Sequence, residues 1–392
     1  MAATELTPIS ASSASPAGWV LAAALALPGV IATPTAHAEN APEHGLIGFK
    51  MLSYQDRQPG LKRVGVTAPS VSIMAPLGSQ WSIDGSAVLD SVSGASPRYH
   101  SAISGASRMS DERRAADLKV TRYEARSAYS LGVSSSTEHD YRSRALSADA
   151  RFASADNNTT WNIGLGLAND RITQTGNPSL KERKRTRELM VGVTQAVSAN
   201  DLVQINLTAS FGKGFYSDPY KELDVRPGSR RAFIGLARWN HYFEASDTTL
   251  RSSYRYYHDS FGIHAHTLDT EWVKRLTPQL TLTPSARYSA QSAARFYFDP
   301  VYGVDANGDT IFPPGYDPNS PPTYSSLDQR LSAFGAITLG LKATYAVTPL
   351  WTADAKLELY EQRAAWRLLG GGSPGIAPFS ATFVQLGVSR RF

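Results

Sequence analysis

Cysteine is absent from the whole sequence. No disulfide, thiolate metal site or cysteine nucleophile can therefore be built. Long apolar runs are nearly missing too. Mean hydropathy is negative, and only 42% of residues are apolar. That excludes a protein with several membrane-spanning helices, each of which needs ~20 apolar residues. It does not exclude a membrane β-barrel, whose strands are apolar on one face only. G-x-S-x-G occurs once, as "GGSPG" (Gly371 to Gly375) in a Gly/Pro-rich connection and not between a strand and a helix, and no H-E-x-x-H pair occurs, so neither hydrolase signature is supported. Charge of one sign is not concentrated either. The net charge is +5 and basic residues are spread along the chain, so nucleic-acid binding is not expected.

One apolar run is present, "WVLAAALALPGVIA" from Trp19 to Ala32, with Ala36-His37-Ala38 just beyond it. Small-x-small after such a run is the form of a signal-peptidase site. Residues 1–38 are thus expected to be a cleavable signal peptide and 39–392 the exported protein. Residues 1–18 hold Glu5 but neither Lys nor Arg, a departure from the usual basic start. Export with no later helical span leaves the periplasm, secretion or the outer membrane.

After Ala38 the sequence runs with period two. "TWNIGLGLAND" sets Trp161, Ile163, Leu165 and Leu167 on one parity, with Asn162, Gly164 and Gly166 on the other. "DLVQINLTASF", "WTADAKLELYEQ" and the final "ATFVQLGVSRRF" behave alike. Alternation sends the two sets to opposite faces of a strand. Strands are expected near 46–56, 68–76, 80–91, 114–123, 127–137, 141–153, 158–172 and 185–198. A second series follows near 201–214, 230–243, 247–258, 263–276, 280–293, 329–347, 350–364 and 379–392. Short turns largely alternate with longer polar connections, near 92–112, 173–184, 214–229, 294–328 and 365–378. The expectation is an all-β transmembrane antiparallel β-barrel of about sixteen strands, with fourteen also compatible. A soluble sandwich would have strands of ~5–6 residues, and most of these are longer.

Three stretches add a likeness. "DLKVTRYEARSAYSLGVSSSTEHDYRSRALSADARF" (117–152), "RSSYRYYHDSFGIHAHTLDTEW" (251–272) and "LDQRLSAFGAITLGLK" (327–342) resemble the family called domain of unknown function 3570. "YRSRALS" and "DQRLSAFG" are the most specific pieces. The resemblance implies an outer-membrane protein of Gram-negative bacteria and brings no activity, so no catalytic residue is expected.

Other residues invite chemistry. On the polar parity, Asp149, Arg151, Arg238, Arg255, Arg287, Lys342, Asp354, Lys356 and Glu358 are expected to line the lumen, along with Arg251, Asp269 and Glu271. Within "LKERKRTREL", Arg183, Arg185 and Arg187 share the apolar parity at a loop end, where they would meet lipopolysaccharide phosphates. A solvated loop is the plainer alternative. His258, His264 and His266 flank a tight turn and would suit Zn or Cu. Asp305, Asn307 and Asp309 in "DANGD" resemble the start of a Ca loop. The sixth and twelfth loop positions are Thr310 and Tyr316, where glycine and glutamate belong, and an ordinary turn fits as well. Phe392, a terminal aromatic on the lipid parity, resembles the signal read by the barrel-assembly machinery.

These features leave two main readings: a passive porin-like channel for small polar solutes, with loop 294–328 as constriction or cover, or a plugged barrel serving a partner. An outer-membrane hydrolase is a third. No cofactor is required by any of the first two.

Overall fold

In a computed structural model, residues 40–95, 108–221, 223–301, 305–307 and 311–392 are described. The expected signal peptide, 1–38, lies outside the described residues, as does Asp309. The strands in chain order are β1 (Leu46–Gln58), β2 (Leu61–Leu77), β3 (Trp81–Ala95), β4 (Arg108–Glu124), β5 (Ser127–Thr137) and β6 (Tyr141–Ala153). Next come β7 (Thr159–Gln174), β8 (Asn177–Ala196), β9 (Asp201–Gly214), β10 (Ser229–Phe243) and β11 (Thr248–Asp259). The last are β12 (His264–Arg275), β13 (Leu280–Gln291), β14 (Phe334–Ala346), β15 (Trp351–Arg363) and β16 (Phe379–Arg391).

Each strand pairs antiparallel with its neighbours in sequence, and β1 pairs with β16 to close the barrel. Closure leaves no unpaired edge, so every backbone group of the wall can be satisfied without water. The seam is finished beyond the strands. Gly45 and Phe392 exchange backbone hydrogen bonds of 2.8 and 3.0 Å, and the Phe392 ring lies where a side chain at Gly45 would collide with it.

Alternation decides which face meets what. Ile163, Leu165, Leu167, Leu189, Leu339, Leu359 and Leu386 point outwards and are exposed. Charged and small polar side chains take the inner parity. An apolar belt of this kind would be a liability in water, and it suits hydrocarbon. Trp81, Trp161, Trp239, Trp272 and Trp351 are exposed near the strand ends that carry the short turns. They form an aromatic girdle at one interface. Arg390 sets its guanidinium over the Trp351 ring, 5.6 Å from the centroid, a long side chain reaching past the apolar belt.

Several expected boundaries change, among them the start of β2, which lies at Leu61 and not near residue 68. The polar connection at 173–184 is instead mostly strand, because β7 and β8 continue to a turn at Thr175–Gly176, where Gly176 takes φ 84°. Their polar character reflects height above the apolar belt, not loop structure. Strands β3 and β4 likewise run beyond the expected ends, to Ala95 and from Arg108. The segment 329–347 begins with a 3-10 turn, Gln329–Leu331, and strand starts only at Phe334.

A charged lumen beneath a loop cover

Register places Asp149, Arg151, Arg238, Arg255, Arg287, Lys342, Asp354, Lys356 and Glu358 on the inner face. Pairing is local. Arg287 Nε lies 2.7 Å from Asp269 Oδ2, Lys356 Nζ 2.9 Å from Glu358 Oε1, and Arg251 Nη1 3.8 Å from Glu271 Oε2. The side chains of Arg287, Lys119 and Asp84 keep 45%, 38% and 31% of their accessible surface. Water therefore reaches the interior on both sides of the barrel.

The lumen is not uniform. Arg230, Arg255, Arg238 and Arg251 descend one wall on β10 and β11. Arg230 is tied to Asp259, with Nε 2.7 Å from Oδ2. Arg238 reaches only Gln204 Oε1, at 3.5 Å, and Arg255 lies over the Tyr257 ring. Neither has a carboxylate within ion-pairing distance among the described residues. The opposite wall is apolar near the loop end, where Leu52, Tyr54, Val66, Val88 and Ala381 form a buried cluster with Tyr360, Phe379 and Phe383. This inner apolar patch was hidden in the sequence, because it sits on the parity that elsewhere is polar.

At the loop end, the connections after β9, β11 and β13 fold together. Tyr216, Phe261, Ile263, Ala294, Phe296 and Leu331 make an apolar core. Beside it Asp328 is fully buried, with Lys221 Nζ 2.7 Å from Oδ1, Arg226 Nη2 2.6 Å from Oδ2, and Arg330 donating through Nε at 2.7 Å. Asp218 and Asp224 balance the three cations, accepting from Arg330 at 2.9 Å and Arg226 at 2.9 Å. The described contacts of the 292–333 loop are with neighbouring loops and strand ends, such as Gln291 to Arg330 and Ser332, and Gly375 to Asp299. Of the two expected roles, its placement is that of a cover.

Burial alone would raise the Asp328 carboxyl, but Arg330, Lys221 and Arg226 together hold it well below the usual 3.8. Burial, with Arg330 beside it, pushes the Lys221 amine down to about 8. A carboxyl lowered by folding stabilises the fold above its unfolded pKa and loses that contribution as pH falls through its folded value. The cover is therefore expected to resist acid to well below pH 3.8. Limited pepsin digestion from about pH 5 to about pH 2 checks this: cleavage of the 292–333 loop already near the top of that range contradicts it.

The three histidines gather on one face, but their rings are turned to other partners. His258, His264 and His266 stand on the outer wall, paired in register with each other and with Tyr256. The rings of His258 and His264 stack at 4.2 Å, and Tyr256 and Tyr254 hydroxyls lie 2.8 and 2.7 Å from Nδ1 of His264 and His266. Nδ1 atoms turned to phenols, and rings laid face to face, are not a chelate. Asp305 accepts the Asn307 N–H at 2.8 Å, and Asp309, the third residue of that candidate, lies outside the described residues. Among the described residues no group of three or more His, Asp or Glu is placed to hold a metal.

Arg183, Arg185 and Arg187 project outwards at the loop end, on the same face as Leu189. The two specific sequence pieces land at these same places. In "YRSRALS", Ser143 points inwards and donates to Asp170 at 2.7 Å, while Arg142 and Arg144 point outwards. In "DQRLSAFG", Asp328, Arg330 and Leu331 build the cover. A family profile described as "Protein of unknown function (DUF3570)" matches residues 100–182 and 177–383. The chain belongs to that family. No curated protein matches the sequence. Among solved structures, a bacterial polysaccharide outer membrane secretin is similar at 10% identity and TM-score 0.48, covering 88% of this chain and 98% of that one. Outer membrane protein opdK from Pseudomonas aeruginosa is similar at 10% identity and TM-score 0.44, covering 89% and 99%. The siderophore receptor PirA from Pseudomonas aeruginosa gives 9% and 0.45, and 61% of its length is covered.

Proposed function

We propose that this member of the DUF3570 family is a passive channel for small polar solutes in the outer membrane of a Gram-negative bacterium. The observation that carries it is the water access kept by Arg287, Lys119 and Asp84 inside a closed barrel. In a plugged barrel, side chains at those positions would be covered. Charges of both signs on the wall attract solvated solutes without holding any of them tightly. Diffusion needs no metal, nucleotide or redox group, and the reading assigns no catalytic residue. Phe392, packed at the barrel seam, is the element we assign to recognition by the assembly machinery.

The test is conductance of the refolded protein in a planar lipid bilayer. Steady single-channel steps are the expected result. Silence across repeated insertions, with heat-modifiable migration proving a folded barrel, sinks the channel. The second reading, a scaffold barrel serving a surface partner, is favoured by one feature: the loop cover has its own apolar core and ion cluster, and so is a preformed surface.

A further inference from the structure

The outer wall of β6, β7 and β8 carries a charge arrangement that a barrel does not need for its own stability. Arg142, Arg171 and Arg183 stand side by side in register on three adjacent strands. One step towards the apolar belt, Arg144, Asn169, Arg185 and Lys213 form a second row. All six cations are exposed, and none has an ion-pair partner among the described residues. Like charges directly opposite one another on a sheet are destabilising. Among the described residues no acid on the same face of these strands offsets that cost.

Directly beneath the second row the wall has a shallow depression, open to the outside. A groove of about 760 Å³ runs across β4 to β8, with Leu118, Val133, Leu146 and Leu167 on its floor and Arg144 and Arg185 at its upper edge. The leucines are exposed and continuous with the lipid-facing belt. A guanidinium fork binds phosphate through two parallel hydrogen bonds, and it carries its charge beside apolar surface at less cost than an ammonium does. Anionic groups above and hydrocarbon below describe one molecule: a phosphorylated lipid lying upright against the barrel.

We infer that this face is a binding site for the phosphorylated glycolipid of the outer leaflet, with its phosphates on the arginine rows and one acyl chain in the groove. Expected at sequence level were three arginines at a loop end. The fold adds Arg142, Arg144 and Arg171 from other strands, and the groove. The inference rests on the membrane reading above, yet it is independent of conduction. A barrel that is silent in the bilayer but retains lipid would leave the site standing.

The probe is lipid A, offered to detergent-purified protein and followed by native mass spectrometry, against fully dephosphorylated lipid A and inorganic phosphate. Wild-type protein is expected to retain lipid A at least about tenfold more than the dephosphorylated form. The triple variant Arg171→Ser, Arg183→Ser, Arg185→Ser changes only exposed outer positions, and heat-modifiable migration reports whether its barrel is closed. It is expected to lose that preference. Equal retention of both lipids, or an unchanged preference in the folded variant, overturns the inference. So does displacement of lipid A by millimolar phosphate, which reduces the site to a free-anion patch. Conversion of an oligomer to a monomer by the triple variant, without loss of lipid, overturns it too, in favour of a second copy of the chain on this face.

Discussion

Asp328→Asn is expected to release the loop cover, at a cost of about 3–5 kcal/mol to the closed arrangement. The size follows from what stays behind. Asp328 is the common acceptor of Lys221, Arg226 and Arg330, and its side chain is fully buried. A neutral amide leaves three cations facing only Asp218 and Asp224, in a place where water cannot screen them. The barrel itself should remain closed, because its ring of strand pairs does not pass through the cluster. Limited proteolysis of the detergent-solubilised protein distinguishes the two: cleavage within 292–333 should accelerate while heat-modifiable migration stays as in wild type. The double variant Asp328→Asn, Arg330→Gln removes one charge of each sign and should recover much of the protection. Protection unchanged in Asp328→Asn would show that the apolar core of Phe261, Phe296 and Leu331 holds the cover alone.

A cover was among the roles the sequence offered for this loop, but the ion cluster that fastens it was not legible there. Asp224-Val225-Arg226 and Asp328-Gln329-Arg330 are both Asp-x-Arg, and in each the Arg Nε donates to its own Asp. Such pairs read as ordinary polar loop until the chain brings them together across 102 positions. The strands were another matter. Period two survives in a barrel wall because lipid outside and charge inside impose it at every residue, so Leu165, Leu167 and Leu386 announce their face directly. Legibility failed where the two environments stop. Above the belt, the outer parity turns basic, and 173–184 looked like loop although it is hairpin. Within the lumen, Leu52, Tyr54 and Val66 break the rule by turning apolar side chains inwards, and no local pattern separates them from the lipid face. The histidines show the reverse error. Sequence proximity of His258, His264 and His266 was real, but parity put them on the wall, stacked among tyrosines.

Reversing the charge at Arg238 and Arg255 is expected to change the ion preference of the channel by roughly an order of magnitude. Most lumenal cations are held by a neighbouring carboxylate, as Arg287 is by Asp269 and Lys356 by Glu358, and such pairs contribute little field to a passing ion. Arg238 and Arg255 are the exceptions on the β10–β11 wall, where their nearest fixed partners are an amide and an aromatic ring. Their unspent charge should make the wild-type lumen favour anions. Reversal potentials across a salt gradient measure the preference. Arg238→Glu, Arg255→Glu should move the potential towards cation selectivity, and Arg238→Gln, Arg255→Gln should fall between it and wild type. The neutral pair matters because two half-buried glutamates without cationic partners are costly, and a misfolded double reversal would say nothing about permeation. A reversal potential that stays fixed in a folded, conducting neutral variant would place the solute path away from this wall, and the two guanidiniums would then serve the barrel's packing alone.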